Sequence, residues 1–137
     1  MKIEISNMEL FDLYIGKIFA LLIDSFPLKK NFYLYEITGD KTEFDEPINS
    51  CEKIALASVE WLCENEYIKV GGYGGDKSVH NAILTAKGLI LLKQTPPSLK
   101  NDENLMSRLE KAVSISSEEA IKSVTNSILS LAVGALK

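Results

Sequence analysis

Few groups in this chain could carry covalent or metal chemistry: one histidine, His80, and two cysteines, Cys51 and Cys63. A histidine works as a general base only with a nucleophile in hydrogen-bond reach, and local spacing gives His80 no serine or cysteine partner. One histidine and two separated cysteines match no recognised metal-ligand spacing. The run Gly71-Gly72-Tyr73-Gly74-Gly75-Asp76-Lys77-Ser78 has the composition of a phosphate loop. That motif needs glycine directly before lysine and a helix after it, so that backbone N–H groups converge on phosphate. Asp76 intervenes here and an apolar alternating segment follows, so the run reads as a hairpin turn. No catalytic residue, metal ligand or cofactor is expected.

The remaining chemistry is electrostatic. The chain has 137 residues, a formal charge of −4 and a sequence pI of about 5.1, and Arg108 is its single arginine. Between Glu36 and Glu66 nine acids stand against two lysines. Phosphate contacts supply much of DNA affinity and base readout leans on arginine forks, so this balance disfavours a nucleic-acid partner and favours a basic protein.

With 46% hydrophobic and 25% charged residues, the composition is that of a globular domain with a core. The N-terminal MKIEISNMEL mixes acids into what would have to be an apolar leader, and no apolar run approaches the roughly 20 residues of a membrane span. Cys51 and Cys63 fall on one expected helix, about 18 Å apart at 1.5 Å per residue. That is too far to bridge, and two reduced, packed cysteines suit the cytoplasm.

The elements follow from periodicity. Ser6 and Glu9 form a capping box ahead of a first helix over Met8–Ser25, with Phe11, Ile15, Ile18, Leu22 and Phe26 at helical spacing and Pro27 as its stop. Gly16 inside it costs about 1 kcal/mol relative to alanine, which points to a close neighbour. Leu28–Thr38 is aromatic and partly alternating. It reads as a short strand near Pro27 and then a brief helical turn, the alternative being a small second helix. Gly39–Pro47 is an acid-rich loop.

The next helix runs over Ile48–Asn65, capped by Asn49 or Ser50, with Cys51, Ala55, Val59 and Leu62 inward. Trp61 reads as core. Opposite the stripe lie Glu52, Leu56, Glu60 and Glu64 at spacing four, expected to share a solvent-facing side. Strands over Tyr67–Val70 and Val79–Leu84 flank the glycine turn, with Tyr73 at its tip. A helix over Ala86–Lys93 follows, then a break at Thr95-Pro96-Pro97-Ser98.

Two further helices, Asp102–Val113 and Glu118–Leu136, complete the chain. Ser116 and Glu119 read as the second capping box, and Ile121, Val124, Ile128, Leu131 and Ala135 form a seam too short for an independent coiled coil. The seam is expected to pack on the first helix or on a second copy as a homodimer. Its polar face offers few lysines (Lys122 and Lys137), so no membrane contact is expected.

Trp61-Leu62 through Tyr67-Ile68, then Leu84-Thr85-Ala86-Lys87-Gly88-Leu89 through Leu91-Leu92, resemble the second half of a winged helix-turn-helix domain. The resemblance covers about residues 8–94. It implies a mainly α fold with a small antiparallel β hairpin, the wing, in a domain over 1–95, with 96–137 as a helical C-terminal extension. Such domains read DNA, bind proteins or serve as adaptors. A groove-reading helix needs amide or basic side chains outward, and this chain offers carboxylates.

The expectation is therefore a non-enzymatic protein-interaction module with an acidic surface, for example an immunity- or antitoxin-like inhibitor of a basic partner. The contact residues would be Glu43, Asp45, Glu46, Glu52, Glu60, Glu64 and the exposed aromatic Tyr73. The alternative is a winged-helix transcription regulator that approaches DNA with Lys29, Lys30, Lys69, Lys77 and Lys87.

Overall fold

The first helix forms where its caps bracket it. In the computed structural model, which describes residues 6–95 and 103–134, α1 spans Asn7–Ser25. Ser6 Oγ accepts the Glu9 N–H at 3.2 Å, satisfying a donor that the first turn leaves unpaired. The helix stops before Phe26, whose backbone is extended because the following Pro27 ring excludes the α region. Leu13, Tyr14, Ile15, Ile18, Phe19 and Leu22 are all buried. A helix apolar on so many sides belongs inside the fold, and α1 is the axis of this one.

One flank of α1 holds a helix and a sheet. β1 (Lys30–Tyr33) leads into the one-turn α2 (Tyr35–Thr38), and a loop then reaches α3 (Ser50–Glu64). β2 (Ile68–Lys69) and β3 (Gly72–Gly74) both pair antiparallel with β4 (Ser78–Leu84), and β1 pairs with the other edge of β4. β4 is thus central and buries Val79, Ala82 and Leu84. Ala55, Val59 and Leu62 of α3 pack into the same core. Both cysteines lie on α3 and are free.

The glycine run differs from the expected loop. Gly72–Gly74 is itself a strand, in register with His80–Ser78. The turn is the three residues Gly75, Asp76 and Lys77. Lys77 takes the left-handed backbone conformation (φ 65°) that glycine usually supplies in three-residue hairpins. Tyr73 therefore lies on a strand rather than at the tip.

α4 (Ala86–Leu92) starts at Thr85, whose Oγ1 accepts the Gly88 N–H at 3.0 Å and donates to the Glu66 carbonyl at 2.5 Å. Gly88 lies so close to the Tyr67 carbonyl that a Cβ would overlap it.

The other flank of α1 holds α5 (Leu105–Ser114) and α6 (Glu118–Gly134). These helices belong to the same core: Leu105, Leu109, Ile121, Val124 and Ile128 join the α1 and α3 side chains in one buried cluster. The close neighbour expected for Gly16 is α6, since a Cβ there would stand 2.5 Å from Thr125 Oγ1 and 2.6 Å from Ile121 Cγ2. Ile121, Val124 and Ile128 of the seam are buried within the single chain, and Leu131 is partly buried. The cap of α6 differs from expectation. Ser117 Oγ accepts the Ala120 N–H at 3.1 Å, and Ser116 sits in the preceding turn at φ 54°. The Pro96-Pro97-Ser98 break, the Asp102 start and the Ala135–Leu136 end lie outside the described residues.

Candidate interaction surface

Of the carboxylates expected on the outer face of α3, Glu52 is misplaced. It is only 1% exposed. Asn49 and Glu52 form a reciprocal capping box: Asn49 Oδ1 accepts the Glu52 N–H at 2.8 Å, and Glu52 Oε1 accepts the Asn49 N–H at 3.0 Å. The other carboxylate oxygen accepts from Thr42 Oγ1 at 2.6 Å and lies 3.3 Å from Lys77 Nζ. Lys77 Nζ also donates to Thr42 Oγ1 at 2.7 Å. Burial pushes the Glu52 carboxyl up, but the hydrogen bonds from Thr42 and Asn49 and the Lys77 ammonium more than offset it, leaving the group below its ordinary value. Glu52 thus clamps the acidic loop and the hairpin turn to α3, and a docking partner has no access to it.

The physical reason is helical pitch. Each step of four residues overshoots a full turn by about 40°, so three steps from Glu64 back to Glu52 rotate about 120°, out of the solvent face. The exposed line of α3 is instead Lys53, Ala57, Glu60 and Glu64.

Glu60 and Glu64 stand as expected, exposed and with no ion pair among the described residues. Tyr73 joins them. It is 51% exposed on β3, and its phenol is pushed up by partial burial and by the charges of Cys63 and Glu60. The Cys63 thiol is likewise raised, first by burial and then by Glu60 and Glu64. The fold therefore brings Glu60, Cys63, Glu64 and Tyr73 into one electrostatic neighbourhood.

Glu43, Asp45 and Glu46 are also exposed, but they form a second patch at the opposite end of α3. Their loop closes on itself, with the Glu43 N–H donating to Glu46 Oε1 at 3.2 Å. Glu43 and Phe44, the latter 67% exposed, line a cleft of about 310 Å³ with Tyr33, Tyr35 and Lys41. Tyr33 and Tyr35 stack at 5.6 Å, and Lys41 lies 5.5 Å above the Tyr35 ring.

His80 has partners that local spacing did not assign to it. Ser78 Oγ bonds both Asp76 Oδ1 and, at 2.7 Å, His80 Nε2. Ser78 and His80, two residues apart on β4, face the same side, and that alternation is a signal in the sequence; Asp76 reaches them from the turn. The order is not that of a nucleophilic relay, in which the imidazole stands between hydroxyl and carboxylate. Here the hydroxyl is central and buried, and it donates its proton to Asp76. The cluster packs over Gly74, where a Cβ would meet Asp76 Oδ1 at 2.6 Å.

No protein-family model, curated protein or solved structure matches the chain. Among the described residues no group of three or more His, Cys, Asp or Glu side chains could hold a metal ion, and no helix is long and apolar enough to cross a membrane.

The lysines available to a polyanion are fewer than the sequence suggests. Lys77 is buried against Glu52. Lys87 donates to the Asn65 carbonyl at 3.0 Å and lies 4.8 Å over the Tyr67 ring. Lys29 and Lys69 are exposed, and Lys30 is half-buried.

Proposed function

We propose that this chain is a non-enzymatic interaction module of winged-helix type that binds a basic protein through an acidic surface. An immunity- or antitoxin-like inhibitor of a basic nuclease is the concrete case. The observation that carries the proposal is the exposure of Glu60 and Glu64, which have no ion pair among the described residues, near the half-exposed Tyr73. Carboxylates steer a cationic partner and a rigid aromatic supplies contact area, a combination suited to a protein surface. The winged-helix assignment draws support from the hairpin of β2/β3 and β4 after α3, and from α4 capped at Thr85. Both fall at the phrases that carry the resemblance.

The rival reading, a DNA-binding regulator, gains from the withdrawal of Glu52 into the core. It loses more from the burial of Lys77 and the engagement of Lys87, because phosphate affinity scales with the cations a face presents.

The test is a Glu60→Lys/Glu64→Lys double variant used as bait beside the wild-type chain. It should fold normally and lose capture of a basic partner by about tenfold or more at low salt. Wild-type binding to duplex DNA at submicromolar affinity, with a steep salt dependence, would overturn the proposal in favour of gene control.

A further inference from the structure

A third acidic surface surrounds a groove of about 580 Å³ between α1, α2 and the α5–α6 turn. Its apolar lining comes from Ala20 and Leu21 on α1, Val113 on α5 and Ile121 on α6. Around this lining stand four carboxylates from four separate elements: Asp24, Glu36, Glu110 and Glu118. Among the described residues lining the groove the one ammonium is Lys17, which donates to the Ile37 carbonyl at 3.2 Å. None of these five charged groups makes an ion pair among the described residues, whereas acids elsewhere on the helical flank do: Glu103 with Lys111, and Glu9 and Glu119 with Lys122. Of the four apolar lining residues, Val113 is the exposed one.

We infer that this groove docks a basic amphipathic segment of a partner protein. Lysine and arginine lay their aliphatic stems along apolar surface while their charged ends reach outward. Stems on Ala20, Leu21 and Val113 would put those ends among the four carboxylates. Apolar residues of the same segment would cover Leu21 and Val113. A segment bearing only charge would leave the lining wet, and one bearing only apolar groups would desolvate the carboxylates without compensation. The groove shares no residue with the Glu60–Glu64–Tyr73 surface, so the inference stands independently of the function proposed above.

The test uses the full chain and a synthetic lysine–leucine amphipathic peptide as probe, followed by amide chemical shifts and a binding titration. Shifts should concentrate around Leu21, Asp24 and Val113–Ser116. An Asp24→Lys/Glu110→Lys variant with an unchanged circular dichroism spectrum should bind about tenfold more weakly, and Val113→Ser should also weaken binding. Glu60→Lys/Glu64→Lys should bind the probe as wild type does. The inference is overturned if the groove variants bind undiminished, or if the α3 variant loses the probe equally. It is also overturned if a lysine–serine peptide of the same charge, or spermine, binds as tightly as the lysine–leucine peptide, since charge alone would then suffice.

Discussion

Lys77 Nζ lies 3.3 Å from Glu52 Oε2, with both side chains almost wholly withdrawn from water. The pair joins the left-handed turn residue of the hairpin to the N-terminus of α3, and Thr42 bridges the two. A lysine here occupies a backbone conformation suited to glycine while its ammonium meets this buried partner.

Breaking the pair from either side should be expensive. Lys77→Met strands a carboxylate and Glu52→Gln strands an ammonium, and each should lose roughly 3–5 kcal/mol in chemical denaturation. Glu52→Lys should be worse, since it sets two cations together and removes half of the capping box. Tests of the binding surface should therefore leave Glu52 intact. Near-wild-type stability of Lys77→Met would show that the clamp contributes little.

The same pair predicts an acid limb. The Glu52 carboxyl is lowered in the folded chain from an ordinary value of 4.5. Its stabilisation is fully present above that value and is lost as pH falls through the lowered folded value. Urea midpoints followed from neutral into acid should drop for the wild type, with a flatter acid limb for Glu52→Gln.

Asp12 should behave in the opposite sense. Its Oδ1 is buried and has no hydrogen-bond partner among the described residues. Its carboxyl is raised from 3.8, first by burial, against the lowering influence of Lys122 and with a further rise from Glu9. An acid raised on folding penalises the folded state once ionised, and the penalty fades as pH falls towards 3.8. Asp12→Asn should therefore stabilise the chain at neutral pH by on the order of 1 kcal/mol, an advantage that disappears in acid. A loss of stability at neutral pH would contradict this.

Two glycines set helix distances, and alanine should separate their roles. At Gly16 alanine gains about 1 kcal/mol of helix propensity but meets Thr125 and Ile121 of α6, for a net loss of about 1 kcal/mol. At Gly88 the obstacle is the Tyr67 carbonyl, which is backbone and cannot rotate away, so the loss should be on the order of 3 kcal/mol. Equal thermal shifts for the two variants would argue against this distinction.

The helices and the hairpin were legible because their signals are local. Ser6, Asn49 and Thr85 each offer an oxygen to an N–H three residues on, Pro27 ends a helix sterically, and apolar spacing of three and four marks the buried faces of α1, α3 and α6. The Asn49-x-x-Glu52 box was equally present in the sequence. Reading Glu52 by its spacing to Glu60 and Glu64, rather than by its cap, turned it to the wrong side.

From the sequence alone came the order of elements, the acidic balance and the outward placement of Glu60 and Glu64, since these depend on residues near in the chain and on helical pitch. Tertiary structure decided which charges meet. Lys77 reaches Glu52 across 25 residues, the hairpin sets Tyr73 within electrostatic reach of Glu60, and Asp24, Glu36, Glu110 and Glu118 converge on one groove from four elements. Such pairings arise from packing around α1, and no local periodicity encodes them.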